Sequence, residues 1–280
     1  MNKKLNCQIA LNDFNSEEIF VFLRRDYKKK LLTKAIQKAG SQSKLATLIK
    51  KHLNYPKIKQ STVSLLLKKD TLRLDLVYFL LDYLKIKFDC CEIIAIKGFG
   101  TSKAINRPKL KITLGPELAQ ILANLYCDGS IEKNNCYVST YMNGNLDLIQ
   151  RFKQNFTSCF GNYEFYERKT NVNNVRIPCF IGKVLYQKFN LGEDNVPDQI
   201  INSDKKIKSA YLQAAFDDEG SIHKDHGQIR IKMKPKFYIG DIQKMIREFG
   251  INTSSVIEEI DKRNGRKYYY FLISGRNNLR

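Results

Sequence analysis

Asp128 and Glu219 are the residues of this chain best placed to do chemistry together, because they hold the same position in two copies of one pattern. The first copy runs Leu118-Ala-Gln-Ile-Leu-Ala-Asn-Leu-Tyr-Cys-Asp-Gly-Ser-Ile131. The second, Ser209 to Ile222, lies 91 positions on and sets Ala119 on Ala210, Ala123 on Ala214, Cys127 on Asp218, Asp128 on Glu219, and Gly129-Ser130-Ile131 on Gly220-Ser221-Ile222. Self-similarity of this kind marks an internal duplication, here a pseudo-dimer. Two carboxylates brought together repel unless a cation lies between them. Hard oxygen donors beside a phosphate select Mg²⁺ (or Mn²⁺), and such a site can activate water and stabilise the leaving oxygen of a phosphodiester.

The elements that must position these acids are readable around them. Pro116 opens a helix that runs to Cys127, with Leu118, Ile121, Leu122 and Leu125 on one stripe and the small Ala119, Ala123 and Cys127 at i, i+4, i+8 on another. A second helix from about Asp204 carries Ala210 and Ala214 and is stopped by Gly220. Small stripes let two helices approach closely. After each copy come strand, helix, hairpin patterns: Ile131 and Cys136 to Met142, Leu146 to Phe156, Tyr163 to Arg168 with Val175 to Ile177, then a helix Ile181 to Phe189; and Ile222 with Gln228 to Met233, Ile239 to Phe249, Ser254 to Ile260 with Lys267 to Ile273. Ile149-Gln150 recurs as Ile242-Gln243, an offset of 93. The second copy reaches Arg280 without a pattern for the last helix.

Composition indicates the partner. With 48 Lys and Arg against 28 Asp and Glu the formal charge is +20, and the pI is near 9.6; a polyanion is expected, nucleic acid ahead of an anionic membrane surface. An apolar share of 43% over 280 residues supports two or three packed domains. No apolar run of 18 or more occurs and no signal-peptide stretch follows Met1, so an intracellular, cytoplasmic or nucleoid-associated protein is expected, without membrane attachment. Seven cysteines without a Cys-x-x-Cys pair fit reduced thiols. Glycine patterns for nucleotide binding and a nucleophile elbow are absent. The ends, Met1 and Arg280, point away from an intein, which opens on a nucleophile and closes on an asparagine.

Four segments follow from this. Residues 1–96 form an all-α bundle, helical from Ser16 to Lys87, with a first helix ending at Gly40 and Ser43 as a cap. Within it, Leu45-Ala46 and Lys59-Gln60-Ser61-Thr62-Val63-Ser64 resemble the two core helices of a helix-turn-helix domain, with Lys59, Gln60, Ser61 and Ser64 as DNA contacts. The connection His52 to Ile58 is longer than the usual turn. Residues 97–113 read as a basic linker, 114–200 as the first repeat and 201–280 as the second. Strand alternation assigns Tyr137, Ser139 and Tyr141 in the first repeat, and Gln228, Arg230, Lys232 and Lys234 in the second, to groove-reading faces.

The paired strings Ile121 to Gly129 and Leu212 to Gly220, with Val196-Pro197-Asp198-Gln199-Ile200-Ile201 between the repeats, resemble the two-motif, single-chain LAGLIDADG homing endonucleases from Thr113 onward. The resemblance implies a pseudo-twofold α/β (α+β) fold of duplicated αββαββ(α) repeats. In it the motif helices pack at the interface and two saddle-shaped antiparallel sheets lie on double-stranded DNA. It further implies a monomer that makes double-strand breaks, one acid serving each strand, with main-chain carbonyls of Cys127 and Asp218 supplementing the metal ligands. Lys232 and Lys234 match the strand positions that polarise the scissile phosphate. Tyr126 departs from the family pattern where Asp217 conforms, and Tyr141, Met142 and Asn143 offer no lysine in the first repeat. Members of the family also include non-cleaving DNA-binding regulators and maturases acting on structured intron RNA, and both remain open at this point.

Overall fold

The computed structural model describes residues 8–53, 55, 57–99, 103–169 and 172–275. In chain order the elements are β1 (Gln8–Ala10), β2 (Ile19–Leu23), α1 (Arg25–Ala39), α2 (Gln42–His52), α3 (Gln60–Lys68), β3 (Thr71–Arg73), α4 (Leu74–Leu84), β4 (Ile93–Gly98), β5 (Ile105–Asn106) and β6 (Lys111–Thr113). They continue with α5 (Pro116–Tyr126), β7 (Gly129–Glu132), β8 (Val138–Asn143), α6 (Leu146–Phe160), β9 (Asn162–Tyr163), β10 (Tyr166–Lys169), β11 (Asn173–Ile177) and α7 (Cys179–Phe189). The last are α8 (Asp198–Ile201), α9 (Lys205–Glu219), β12 (Gly220–His223), β13 (Gln228–Met233), α10 (Lys236–Glu248), β14 (Ile257–Ile260) and β15 (Lys267–Ser274). Two compact units result among the described residues: Ile9–Lys111 with Phe160–Glu164, and Ile112–Cys159 with Gln8 and the residues from Phe165 to Gly275.

The N-terminal unit is not all-α. Its helices are accompanied by a five-stranded antiparallel sheet in the order β3-β2-β4-β5-β9. The stretch Ile-Phe-Val-Phe-Leu of β2 is apolar throughout, which hides its period; burial shows a period of two, with Ile19, Val21 and Leu23 inside and Phe20 and Phe22 half-buried. The expected linker likewise contains structure, since Ile105 is fully buried and pairs with Ile96, and Arg107 N donates to Ile94 O. Its Gly100, Thr101 and Ser102 lie outside the described residues. Ser41, not Ser43, caps α2, accepting from Lys44 N at 3.1 Å.

Helices α2 and α3 are joined at their N-terminal turns: Ser64 Oγ donates to Gln42 Oε1 at 2.6 Å, and Ser43 Oγ to Gln60 Oε1 at 3.3 Å. The long connection between them is anchored by Tyr55. Its ring lies 3.8 Å from the Arg73 guanidinium. Arg73 in turn grips the buried carboxylate of Asp75 through two nitrogens, Nε at 2.7 Å and Nη2. Burial, then the negative Asp75, pushes the Tyr55 phenol up to about 12.

The second unit contains the two repeats. Sheet β10-β11-β8-β7 and sheet β14-β15-β13-β12 correspond strand for strand, and every pairing is antiparallel. Each buries one face against its own helix: Phe152 and Phe156 of α6 lie with Tyr141 and Val175 in the first core, and Tyr238, Ile242 and Met245 of α10 with Ile231, Met233 and Phe271 in the second. Helices α5 and α9 pack along each other between the sheets, with Ala119, Ala123, Ala210, Ala214 and Ala215 buried. The expected lack of a final helix concerns residues 276–280, which lie outside the described residues.

Gly220 does not end α9 in the left-handed region, as expected of a helix-stopping glycine, for its φ is −79°. It is required because a Cβ there would lie 2.4 Å from Phe216 O; at Gly129 a Cβ would lie 2.5 Å from Leu125 Cα. Both helices turn into their strands at once, with no room for a side chain. Gly129→Ala and Gly220→Ala are therefore each expected to destabilise the chain by about 2 kcal/mol. Gly240→Ala, inside α10 with nothing within 4 Å, is expected to stabilise it by roughly 0.5 kcal/mol. Urea unfolding of the three variants checks both signs.

Candidate active site

The abrupt exits at Gly129 and Gly220 leave Asp128 and Glu219 at the ends of neighbouring helices, and the two acids interact. Burial, followed by the charges of Asp128 and Asp218, pushes the Glu219 carboxyl up to about 7. Asp218 is pushed up to about 6, by burial first and the charges of Asp128 and Asp217 last, against hydrogen bonds from Asn124 and Tyr141 that act to lower it. Asp128 is also raised by burial, against a hydrogen bond from Asn143. Three carboxyl groups thus share a half-buried site with excess negative charge.

Neutral donors of the first repeat face them. Asn124 Nδ2 donates to Asp218 Oδ2 at 2.9 Å, the Tyr141 hydroxyl to Asp218 Oδ1 at 2.7 Å, and Asn143 Nδ2 to both Asp128 Oδ2 at 2.9 Å and Asp218 Oδ1 at 3.2 Å. The Asn143 amide is oriented from behind, since its Oδ1 accepts from Asn145 N at 2.8 Å. Across the helix pair Gln120 Nε2 donates to Gln213 Oε1 at 3.1 Å. Among the described residues no donor is hydrogen-bonded to Glu219, and none of them form a group of three or more His, Cys, Asp and Glu side chains arranged as a metal cage. What the site offers instead is a pair of hard carboxylates lacking a counter-charge. That donor set fits a divalent cation completing its shell with main-chain oxygens, water and substrate.

The expected departure at Tyr126 has a counterpart in packing. Its ring stacks on Tyr238 of α10 with centroids 4.1 Å apart and an interplanar angle of 6°. At the equivalent position Asp217 pairs with Arg151 of α6 at 2.6 Å. Each motif end therefore grips the second helix of the other repeat, one by a stack and the other by an ion pair. The Cys127 thiol, 3.4 Å from the Tyr238 hydroxyl and pushed well up by burial, faces that packing.

The first sheet corrects the expected groove face. Cys136 and Tyr137 have φ of +50° and +59° and form a turn, so the strand starts at Val138. Ser139 and Tyr141 are fully buried; they were assigned outward because polar and aromatic residues alternate there with Val138 and Thr140. The outward set is Thr140, paired across strands with Arg176, and Met142, paired with Asn174. Arg176 lies 5.5 Å from the centre of the Tyr166 ring. None of these contacts was legible, because Arg176 belongs to a strand whose facing depends on the register of β8. In the second sheet Ile231 and Met233 point inward as expected, leaving Gln228, Arg230 and Lys232 on the other face, whereas Lys234 lies past the end of β13 as an exposed bend residue. Lys232 Nζ sits 2.7 Å from Glu259 Oε1 and 4.9 Å from the Tyr268 ring centre, and Arg230 is 5.7 Å from that of Tyr270. Lys232 is thus tied to the sheet face rather than to the carboxylates. In the N-terminal unit Lys59, Gln60 and Ser61 are exposed at the start of α3, whereas Ser64 is half-buried in the joint with α2.

A carboxyl held above its ordinary range makes stability fall as pH rises, because between 4.5 and about 7 the native state keeps a proton that the unfolded chain has released. Glu219→Gln removes this penalty. In metal-free buffer it is expected to be more stable than the parent by about 1–2 kcal/mol at pH 8, discounted for partial solvent access, and to match it near pH 4.5. Thermal melts at the two pH values check this.

Residues 206–280 match the family model described as a LAGLIDADG-like domain. Two curated proteins of Methanocaldococcus jannaschii are similar to part of the chain: a replication factor C small subunit, 29% identical over 171 residues, and a glutamine–fructose-6-phosphate aminotransferase, 25% identical over 185. These regions are 59% and 62% of the chain but only 9% and 16% of the relatives' own lengths. Among solved structures, the homing endonuclease I-DmoI in complex with DNA and Mn is 16% identical over 60% of the chain and 94% of its own, with a TM-score of 0.43. DUF199/WhiA from Thermatoga maritima is 12% identical over 59% and 52%, with a TM-score of 0.40. The motif is present twice in register, and the second repeat is similar to the LAGLIDADG-like domain that the family model describes.

Proposed function

We propose that the chain is a site-specific DNA endonuclease of homing type, which hydrolyses phosphodiester bonds in both strands of a long duplex site and depends on Mg²⁺ or Mn²⁺. The observation that carries this reading is the meeting of Asp128 and Glu219 at the ends of paired motif helices, with their charge uncompensated. Asp128 and Glu219 would hold the metal, assisted by the main-chain oxygens of Cys127 and Asp218. When bound there, the metal supplies Lewis acidity toward the scissile phosphate and lowers the pKa of an attacking water.

The chain's own residues do the rest. Arg176 on one sheet, Arg230 and Lys232 on the other and Lys234 just past the end of β13 supply cations for the phosphate backbone, and Thr140, Asn174 and Gln228 supply neutral groups for base edges. The buried Nε of Arg230 has no hydrogen-bond partner among the described residues, which suits it to an incoming acceptor. The start of α3, with Lys59, Gln60 and Ser61, extends the footprint as a helix-turn-helix-like element in which Ser64 fixes the joint.

One observation favours a second reading, a DNA-binding regulator that does not cut. By strand register Met142 stands where the second repeat has Lys232, and the acids Asp218 and Asp128 are satisfied instead by the neutral hydrogen bonds of Tyr141 and Asn143. Selection of cleaved duplexes from a randomised library, with and without Mg²⁺, decides between the two. The Asp128→Asn, Glu219→Gln double variant is expected to lose about 10³-fold or more in cleavage while keeping its affinity. Equal cutting by the double variant would sink the endonuclease reading, and tight binding with no metal-dependent nicking would establish the regulator. Gel-shift competition with structured RNA tests for a maturase.

Affinity for duplex is expected to fall by at least about 10³-fold between 50 and 200 mM salt. Arg176→Ala and Arg230→Ala should each reduce the salt slope by about one. An unchanged slope in Arg176→Ala would remove Arg176 from the phosphate contacts.

A further inference from the structure

The two halves of the site differ in how their acids are held. Asp128 is gripped by Asn143, whose nitrogen is shared with Asp218. Asp218 belongs to the second repeat, yet all its side-chain hydrogen bonds among the described residues come from the first: Asn124, Tyr141 and Asn143. At the equivalent position in the first repeat stands Cys127, whose thiol meets Tyr238 and cannot replace a carboxylate as acceptor for three donors. Glu219 accordingly has no such bridge.

We propose that Asp218 is a positioning residue for the opposite half-site: it fixes Tyr141 and Asn143, and through Asn143 it sets the carboxylate of Asp128, while Glu219 is left to be ordered by metal and substrate. Tyr141 is well suited to this, since it is fully buried against Phe152 with ring centroids 4.7 Å apart and can aim its hydroxyl only along the interface. On the endonuclease reading, the Asp128-dependent strand is nicked first and the Glu219-dependent strand second. Preorganised groups need no rearrangement when the reaction begins.

The first test needs no catalysis. In the full chain the side-chain amide protons of Asn143 and Asn124 are followed by ¹⁵N NMR in the parent and in Asp218→Ala. Both amides are expected to lose their bonded shifts. Unmoved resonances would overturn the positioning role.

The second test uses duplex substrate labelled separately on each strand, with Asp128→Asn identifying the strand that depends on Asp128. Asp218→Ala should slow that nick by about 10- to 100-fold, the size expected when a residue that orients a metal ligand is lost, and leave the other within about 2-fold. Equal slowing of both strands, or of neither, would refute the assignment.

Asp218→Asn alone sets two amide nitrogens against each other at Asn124. Combined with Asn124→Asp it reverses the polarity of that bond and keeps an oxygen for Tyr141 and Asn143, so the pair should regain the parent's strand order where either single change loses it. If the parent nicks neither strand, the endonuclease reading falls and the NMR result alone decides the positioning role.

Discussion

Burial of three neighbouring carboxyls, with the charge of Asp128 repelling those of Asp218 and Glu219, is the constraint around which the second unit is arranged. Each of the three carboxyls is raised above its ordinary range, so the fold holds together groups that would separate in water. What opposes the repulsion is the packing of α5 against α9, with small side chains and the Gln120–Gln213 bond along its length, and three neutral donors that spread the charge without cancelling it. A site of this kind is stabilised by whatever positive charge enters it. On the endonuclease reading binding and chemistry are thereby joined, because the cation that would relieve the repulsion is also the one that would act on the phosphate.

Local sequence carried a good deal of this. The duplication, the pairing of Asp128 with Glu219 and the helix spans of α5, α6, α9 and α10 were legible because each rests on a short-range pattern. The inward facing of Ile231 and Met233 was legible for the same reason: β-branched and apolar residues alternate there with charged ones. In β8 the rule failed. Val138, Thr140 and Met142 are no more polar than Ser139 and Tyr141, and the true facing is set by the left-handed turn at Cys136 and Tyr137 and by the reach of the Tyr141 hydroxyl toward Asp218. That information lies in contacts 77 residues apart, which no local window contains. In β2 the reason was different: all five residues are apolar, so no periodicity was visible. The strand at Ile105 was hidden by a composition that resembles a tether.

Hydrogen bonding of the acids shows how a paired-acid site can be prepared on one side only. Asn143 is oriented by the backbone of Asn145 and then supplies one nitrogen to two carboxylates, so the amide is fixed before any ligand arrives. On the opposite side the one lysine of β13, Lys232, is committed elsewhere, to Glu259 and the Tyr268 ring. The strands equivalent by duplication have come to serve different ends, one the interior of the site and the other its outer face.

The grips at the two motif ends have a consequence for ancestry. A symmetric homodimer uses one contact twice, so any substitution at its axis is felt on both sides. Here Tyr126 stacks on Tyr238 while Asp217 pairs with Arg151, and the first repeat carries Leu148, third in α6, where the second carries Tyr238, third in α10. Two copies of the first repeat would set Tyr126 against Leu148 and lose the stack. Once fused, the repeats were free to diverge against each other, and they have done so far enough that this lock now works only between unlike halves.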